Sequence, residues 1–313
     1  MTRQKISIVT PTFNEEANVV ELCDRIAAVM RDLPYDYEHI VIDNASSDRT
    51  VQILRKRTLS DPKLKIIINT RNFGHIRSPF YGMLQASGDA VIIIASDLQD
   101  PPELIVELVK QWEAGFKIAL LKKTKSRESR ALFLVRRAYY KLLDLLAETP
   151  IVQNATGSGL YDRLVMRALD DISDPYPYVR GLIGEIGYPI AEVEFTQNRR
   201  QRGITSQNWH SLYDIGMLGV IKHSKLPLRA MTIIGFLSGI MSGVIGLFYL
   251  MRKLVAWNSF DAGQAPVVIG LFMFIGLIMV FLGLVGEYVL SIHDQVRKLP
   301  LVFEKERINF DRE

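Results

Sequence analysis

Val91-Ile92-Ile93-Ile94-Ala95-Ser96-Asp97-Leu98-Gln99-Asp100-Pro101-Pro102-Glu103 is the stretch on which the fold turns. Its β-branched run has the composition of a strand buried on both faces, and the acidic turn and paired prolines stop it and start a helix. Carboxylates therefore gather at the carboxyl end of a buried strand, where open α/β sheets bind their ligands. An ionised Asp97 inside such a strand would be unpaired and costly, whereas at its tip it can meet a metal ion or a phosphate-bearing ligand. The same Asp97 and Asp100 also suit a plain turn and helix cap, and this stretch alone allows both readings.

Toward the amino terminus the pattern repeats. Short apolar runs over residues 6–10, 39–42, 64–68 and 90–94 predict strands. Helices are expected from Glu15 and Glu16, through Leu54, over 76–86 and over 103–112. Strands alternating with helices at this spacing predict right-handed βαβ units in a parallel sheet. Beyond 118–121 the alternation stops. Residues 127–146 have helical periodicity with Arg130, Arg136, Arg137 and Lys141 among Leu, Phe and Tyr, which fits a helix on a membrane surface and equally a solvated helix on the sheet. A strand over 190–195, a polar loop over 197–207 and an amphipathic helix over 209–222 follow.

Of the 313 residues 48% are hydrophobic, which would be ordinary for a soluble protein if evenly spread. The spread is uneven: Met231 to Met251 and Val267 to Val285 contain no charged residue. At 1.5 Å per residue each spans roughly 30 Å, the thickness of a hydrocarbon core, so two transmembrane helices are expected. Lys222, Lys225 and Arg229 precede the first and Arg297 and Lys298 follow the second, which puts both termini and the large first domain in the cytoplasm. No apolar signal region precedes the first strand. The expected organisation is a catalytic domain over 1–207, a juxtamembrane region over 208–229, a two-helix hairpin over 230–290 and a cytoplasmic tail over 291–313. Gly235, Gly239 and Gly243 lie four apart, suiting either a homo-oligomer or packing against the second span.

The net charge of +4 comes with no helix-turn-helix, zinc-finger or aromatic RNA-binding signature, so anionic lipid rather than nucleic acid is the expected partner. The single cysteine, Cys23, excludes an internal disulfide and reads as a core residue. His75, His210, His223 and His293 are scattered and none is assigned to a metal. No GxxxxGK[ST] is present and no GxGxxG follows the first strand; Gly157-Ser158-Gly159 is too short and follows no expected strand. Acidic tips at Asp43 and Asp97 suit a nucleotide held by hydrogen bonds at one and a divalent cation at the other.

Ser7-Ile8-Val9-Thr10-Pro11-Thr12-Phe13-Asn14-Glu15-Glu16, Asp43-Asn44-Ala45-Ser46-Ser47-Asp48, Arg71-Asn72-Phe73-Gly74 and Asp97-Leu98-Gln99-Asp100-Pro101-Pro102-Glu103 resemble, in order, the motifs of family-2 glycosyltransferases. Leu160-Tyr161-Asp162-Arg163, residues 200–205, Leu226-Pro227-Leu228-Arg229 and Gly286-Glu287-Tyr288 narrow the resemblance to the polyprenyl-phosphate glycosyltransferases. It implies an α/β fold of GT-A type, with a Rossmann-like, mostly parallel sheet. The implied activity is inverting transfer of a sugar from a UDP- or GDP-linked donor to a polyprenyl phosphate. Pro11, Glu15 and Asp43 would line the nucleoside pocket, Asp97 and Gln99 would meet Mg²⁺ or Mn²⁺, and Arg127, Arg130 and Arg200 would neutralise phosphates.

Two departures stand out. Ala95 occupies the first position of the family's Asp-x-Asp metal motif, and Ser158 stands near where relatives carry an aspartate proposed as a base. Magnesium needs only one or two protein carboxylates when a diphosphate and waters complete its shell, so Asp97 can serve alone. General-base help gives roughly 10²- to 10⁴-fold. A phosphate monoester, with a second pKa near about 6, is already mostly ionised at neutral pH and does without it. The alternative is a catalytically weakened, nucleotide-sugar-binding membrane scaffold.

Overall fold

The computed structural model describes residues 4–125, 155–172, 174–196, 226–255, 264–297 and 299–310. The expected helices over 127–146 and 209–222 and the loop over 197–207 lie outside the described residues, as do Arg127, Arg130 and Arg200.

Four βα units open the chain, as the apolar runs require. β1 (Lys5–Thr12), β2 (Asp36–Asp43), β3 (Leu64–Asn69) and β4 (Ala90–Ile93) alternate with α1 (Val19–Arg31), α2 (Thr50–Thr58), α3 (Gly74–Leu84) and α4 (Ile105–Glu113). There follow β5 (Ile118–Lys125), β6 (Ala155–Asp162), α5 (Arg163–Asp171), α6 (Val179–Ile186) and β7 (Ile190–Thr196). Two long helices, α7 (Leu226–Val255) and α8 (Gln264–Val296), precede a last strand, β8 (Glu304–Ile308).

The eight strands form one sheet in the order β7-β5-β6-β4-β1-β2-β3-β8. Neighbours among β1 to β4 pair in parallel where they touch, and so do β5 and β7. β6 runs antiparallel between β4 and β5, and β8 antiparallel along β3. One face is covered by α3, α5 and α6 through Phe80, Met83, Met166, Leu169 and Leu182. On the other, α1 and α4 bury Leu22, Ile26, Ile105 and Leu108. Cys23 packs with Val19, Val41 and Leu54, and burial raises its thiol to about 12, so it is an inert core residue.

Three expectations change. α1 begins at Val19 rather than near Glu15; residues 15–18 form a turn whose leading amides, Glu15 and Glu16, are held by Thr50 Oγ1 at 2.9 Å and Asp48 Oδ2 at 3.1 Å. The glycine-bearing stretch around Ser158 is a strand, where a Cβ on Gly159 would come within 2.6 Å of the Ala119 carbonyl oxygen, so glycine is what lets β6 and β5 close up. Residues 304–308, expected as part of a tail, form one of the sheet's two edge strands.

α7 and α8 are 30 and 33 residues long, about 45 and 50 Å. Most of their described apolar side chains, among them Phe236, Val244 and Phe248 on α7 and Leu271, Phe274 and Val280 on α8, are exposed, while Leu277, Phe281 and Leu284 are half-buried. Several other side chains of both helices are outside the description, and among the described residues no helix is long and apolar enough to cross a membrane.

Toward the amino end of the sheet, buried Glu38 ties four segments together. Its carboxylate accepts from Lys5 at 3.1 Å, Lys65 at 2.8 Å, Ser7 Oγ at 2.6 Å and the Ser87 amide at 2.8 Å. Burial works to raise this carboxyl, but the bonds from Lys65, Ser7 and Ser87 outweigh it and bring it down to about 2. Next to it His39, 3.0 Å from Thr10 Oγ1, is pushed down to about 3 by burial and then by the Arg57 charge, so it is neutral in the fold. Both groups titrate lower folded than unfolded, so their stabilisation is complete above pH 6.5. It is lost through His39 as pH falls from 6.5 toward about 3, and through Glu38 from 4.5 toward about 2. Glu38→Gln is expected to cost about 3 kcal/mol at pH 7 and to flatten the part of the acid limb below pH 4.5, measured by denaturation across pH. Wild-type stability in the variant would contradict the clamp.

Candidate active site

The chain winds from β1 to β2 to β3 in one direction, and β4 then joins on the other side of β1. That reversal opens a crevice above the carboxyl ends of β1 and β4, the place where such sheets take their ligands. The backbone is bent hardest there. Asn14, Ala45 and Leu98 have φ of 55°, 64° and 56°, and they follow β1, β2 and β4 in turn. Left-handed backbone at a non-glycine residue costs on the order of 1–3 kcal/mol and persists only where its surroundings impose it.

The surroundings are a lattice of small polar side chains. Asn14 donates its amide to Ser46 Oγ at 2.8 Å, and its Oδ1 accepts the Ser47 amide at 2.8 Å, which laces the β1 tip to the β2 tip. Asn44 makes four bonds: its Oδ1 accepts Asn69 Nδ2 at 3.2 Å and the Phe73 amide at 2.9 Å, while its Nδ2 donates to Asn72 Oδ1 at 2.8 Å and the Gly74 carbonyl at 3.2 Å. Such an amide has no spare donor and is fixed in one orientation. The Arg71-Asn72-Phe73-Gly74 loop is thus held against the β2 tip.

The sequence candidates separate in this frame. Pro11 is the penultimate residue of β1 beside the crevice, and its carbonyl accepts Ser96 Oγ at 2.9 Å, joining the β1 and β4 tips. Glu15 is 5% exposed, with Oε2 accepting Asn18 Nδ2 at 2.6 Å. Asp43 is fully buried, and Ser46 donates its amide and its hydroxyl to the two carboxylate oxygens. Burial holds the Asp43 carboxyl above the usual carboxylate range against those bonds. Both carboxylate oxygens of Asp43 are thus engaged by Ser46. Asp97 stands at the β4 tip, partly exposed, with Oδ1 accepting the Gln99 amide at 3.2 Å; Gln99 supports the carboxylate through its backbone. Asp100 is 3% exposed and accepts Ser158 Oγ at 2.7 Å, so the buried serine leans on the acidic turn from β6.

Among the described residues no three His, Cys, Asp or Glu side chains group to hold a metal ion. A single partly exposed carboxylate at Asp97 still fits a hard cation whose remaining ligands are a diphosphate and waters.

A family model described as glycosyl transferase family 2 matches residues 7–166, from β1 into α5. The chain belongs to glycosyl transferase family 2. An uncharacterised glycosyltransferase of Bacillus subtilis is 32% identical over 94% of this chain and 91% of that one. The bactoprenol glucosyl transferase of Shigella phage SfII is 30% identical over 95% of this chain and 96% of that one. Among solved structures, glucosyl-3-phosphoglycerate synthase from Mycobacterium tuberculosis, in complex with Mn²⁺, UDP-glucose and phosphoglyceric acid, is 20% identical, with a TM-score of 0.47 over 70% of this chain and 78% of that one. The protein is therefore a glycosyltransferase, and its mostly parallel sheet with helices on both faces is the GT-A type of α/β fold.

The sequence reading named the strand-end carboxylates and gave no role to the amides and hydroxyls that the structure packs around them: Asn14, Asn44, Ser46, Asn69 and Ser96. The available signal was their density just past apolar runs, where the backbone must turn and has few partners of its own. Asn44→Ala strands the Phe73 amide and the Asn69 side chain. It is expected to cost about 2–3 kcal/mol in stability and to raise KM for the nucleotide-sugar donor more than it lowers kcat. Unchanged Tm and KM would contradict the role given to Asn44.

Proposed function

We propose that the protein is a membrane-anchored, inverting glycosyltransferase that moves a sugar from a nucleotide-sugar donor to a polyprenyl phosphate at the cytoplasmic face of the membrane. The observation that carries this reading is the extent of the likeness to the phage bactoprenol glucosyl transferase: at 95% of the chain it takes in both long helices as well as the sheet. The unbroken absence of charge in Met231 to Met251 and Val267 to Val285 supports two spans. β8 supports an even number of crossings. It follows α8 yet pairs with β3, so the chain on both sides of the two helices belongs to one sheet and lies on one side of the bilayer. Basic residues at the outer flanks, Lys222, Lys225, Arg229, Arg297 and Lys298, favour the cytoplasmic side.

The chemistry follows from what the site lacks and holds. Where a hydroxyl acceptor would need a base, β6 presents Ser158, buried and donating to Asp100. An acceptor that arrives ionised suits such a site. A phosphate-monoester oxygen attacks the anomeric carbon, the bond from that carbon to the diphosphate breaks with its electron pair, and the configuration inverts. The tips of β1 and β2 hold the nucleoside, with Pro11, Glu15 and the Asn44-fixed loop as walls and Asp43 setting the turn. Mg²⁺ or Mn²⁺ at Asp97, seated on the turn that Gln99 closes, would supply charge neutralisation for the departing diphosphate. Arg127, Arg130 and Arg200 are proposed as further phosphate contacts.

Purified full-length protein in detergent, given nucleotide sugars and a divalent cation, is expected to release nucleoside diphosphate only when polyprenyl phosphate is present. Asp97→Asn should lower that turnover by at least about 100-fold without changing membrane insertion. Lipid-independent release, or wild-type turnover in the variant, would overturn the reading.

A further inference from the structure

We propose that Arg180 is an acceptor-binding residue, taking the phosphate monoester of the acceptor beside the Asp97–Asp100 turn. This rests on the reading of the acceptor as a lipid phosphate. Arg180 lies in the first turn of α6, on the sheet face that α6 shares with α3 and α5. Its Nη2 would stand 3.5 Å from a Cβ placed on Gly157, at the end of β6 that reaches the β4 tip. Gly157 itself has φ of 94°, a conformation a side-chain-bearing residue rarely adopts, so the chain keeps this surface bare beneath the guanidinium. One residue on, Ser158 is bound to Asp100. Arg180 therefore sits at the reacting end of the sheet, on the β6 side of β4 and away from the β1 and β2 tips that hold the nucleoside.

Among the described residues no carboxylate forms an ion pair or hydrogen bond with Arg180. The charge is felt by its neighbours: partial desolvation and then Arg180 lower His75 at the start of α3 from its ordinary value. His75 is thus neutral at pH 7 and adds no second cation. A planar guanidinium with no carboxylate partner matches the paired oxygens of a phosphate dianion, where two charge-assisted bonds form in parallel. Arg180 has no prominence in the sequence because it belongs to none of the acidic or glycine motifs. Only the return of α6 across β6 brings it to the site.

The test uses full-length protein in detergent, as wild type, Arg180→Ala and Arg180→Lys, loaded with nucleoside diphosphate and a divalent cation. Binding of a short-chain polyprenyl phosphate and, separately, of inorganic phosphate is followed by calorimetry, alongside KM for donor and acceptor and Tm. Arg180→Ala is expected to weaken lipid-phosphate binding and raise acceptor KM by about 10- to 100-fold, a loss of charge-assisted hydrogen bonds. Donor KM and Tm should be unchanged, and Arg180→Lys should recover part of the loss. Inorganic phosphate is expected to bind more weakly than the lipid; equal affinity would show a free-phosphate site and overturn the assignment to the acceptor. Wild-type lipid-phosphate affinity in Arg180→Ala, or a donor KM that rises as much as the acceptor KM, would also overturn it. A wild type that binds the phosphate in an Arg180-dependent way but releases no nucleotide would instead count against the proposed reaction.

Discussion

Four parallel strands that end together leave their last carbonyls and amides along one edge of the sheet, and a buried edge cannot leave them without partners. Most of what is distinctive about this protein answers that constraint. The tips of β1, β2 and β4 each turn through a residue of positive φ, and the strain is tolerated because asparagine and serine side chains fix the loops from several directions. Asn44 shows the economy of the arrangement. One amide, with all its hydrogen-bonding capacity used, joins the β2 tip to Asn69 at the end of β3 and to the loop beyond it. The crevice that results is rigid before any ligand arrives, which is what positioning a donor sugar for displacement requires.

The second consequence concerns β6. An antiparallel strand inserted between β4 and β5 brings its amino end up to the acidic turn, and Gly157, Ser158 and Gly159 are each used there for a different reason. Gly157 supplies a left-handed bend, Ser158 a hydroxyl for Asp100, and Gly159 the close approach to β5. At the far end of the same strand Asp162 caps α5 through the Leu164 amide and accepts from Trp112 and Lys117. Arg163 reaches the carbonyls of Ala86 and Gly88. A short segment is thereby fixed at both ends.

The first four strands were legible in the sequence because burial on both faces leaves continuous apolar runs, and residues 39–42 and 90–94 have no other ready reading. β6 and β8 were not legible, for opposite reasons. Ala155–Asp162 contains two glycines and owes its strand conformation to pairing with β4 and β5, which local propensity cannot show. Glu304–Ile308 carries four charged residues in five and reads as tail, yet charges on an exposed edge strand are a usual guard against pairing with other chains. The strand-end acids Asp43 and Asp97 were legible as carboxylates just past apolar runs. The role proposed for Arg180 was not, because it depends on where α6 lies against the sheet.

β8 also gives the long helices their relation to the catalytic fold. Phe303 lies against Phe73 with ring centroids 6.2 Å apart, its carbonyl accepts the Thr70 amide at 2.9 Å, and Arg77 donates to the Pro300 carbonyl at 2.6 Å. The segment leaving α8 is thus stitched to the loop that Asn44 holds. The most direct measurement is a structure of the full-length protein with nucleoside diphosphate and Mn²⁺, the cation located by its anomalous signal. The expected result places the nucleoside between the β1 and β2 tips and the cation at Asp97. A nucleotide bound elsewhere, or a cation remote from Asp97, would contradict the reading of these strand tips as the donor site.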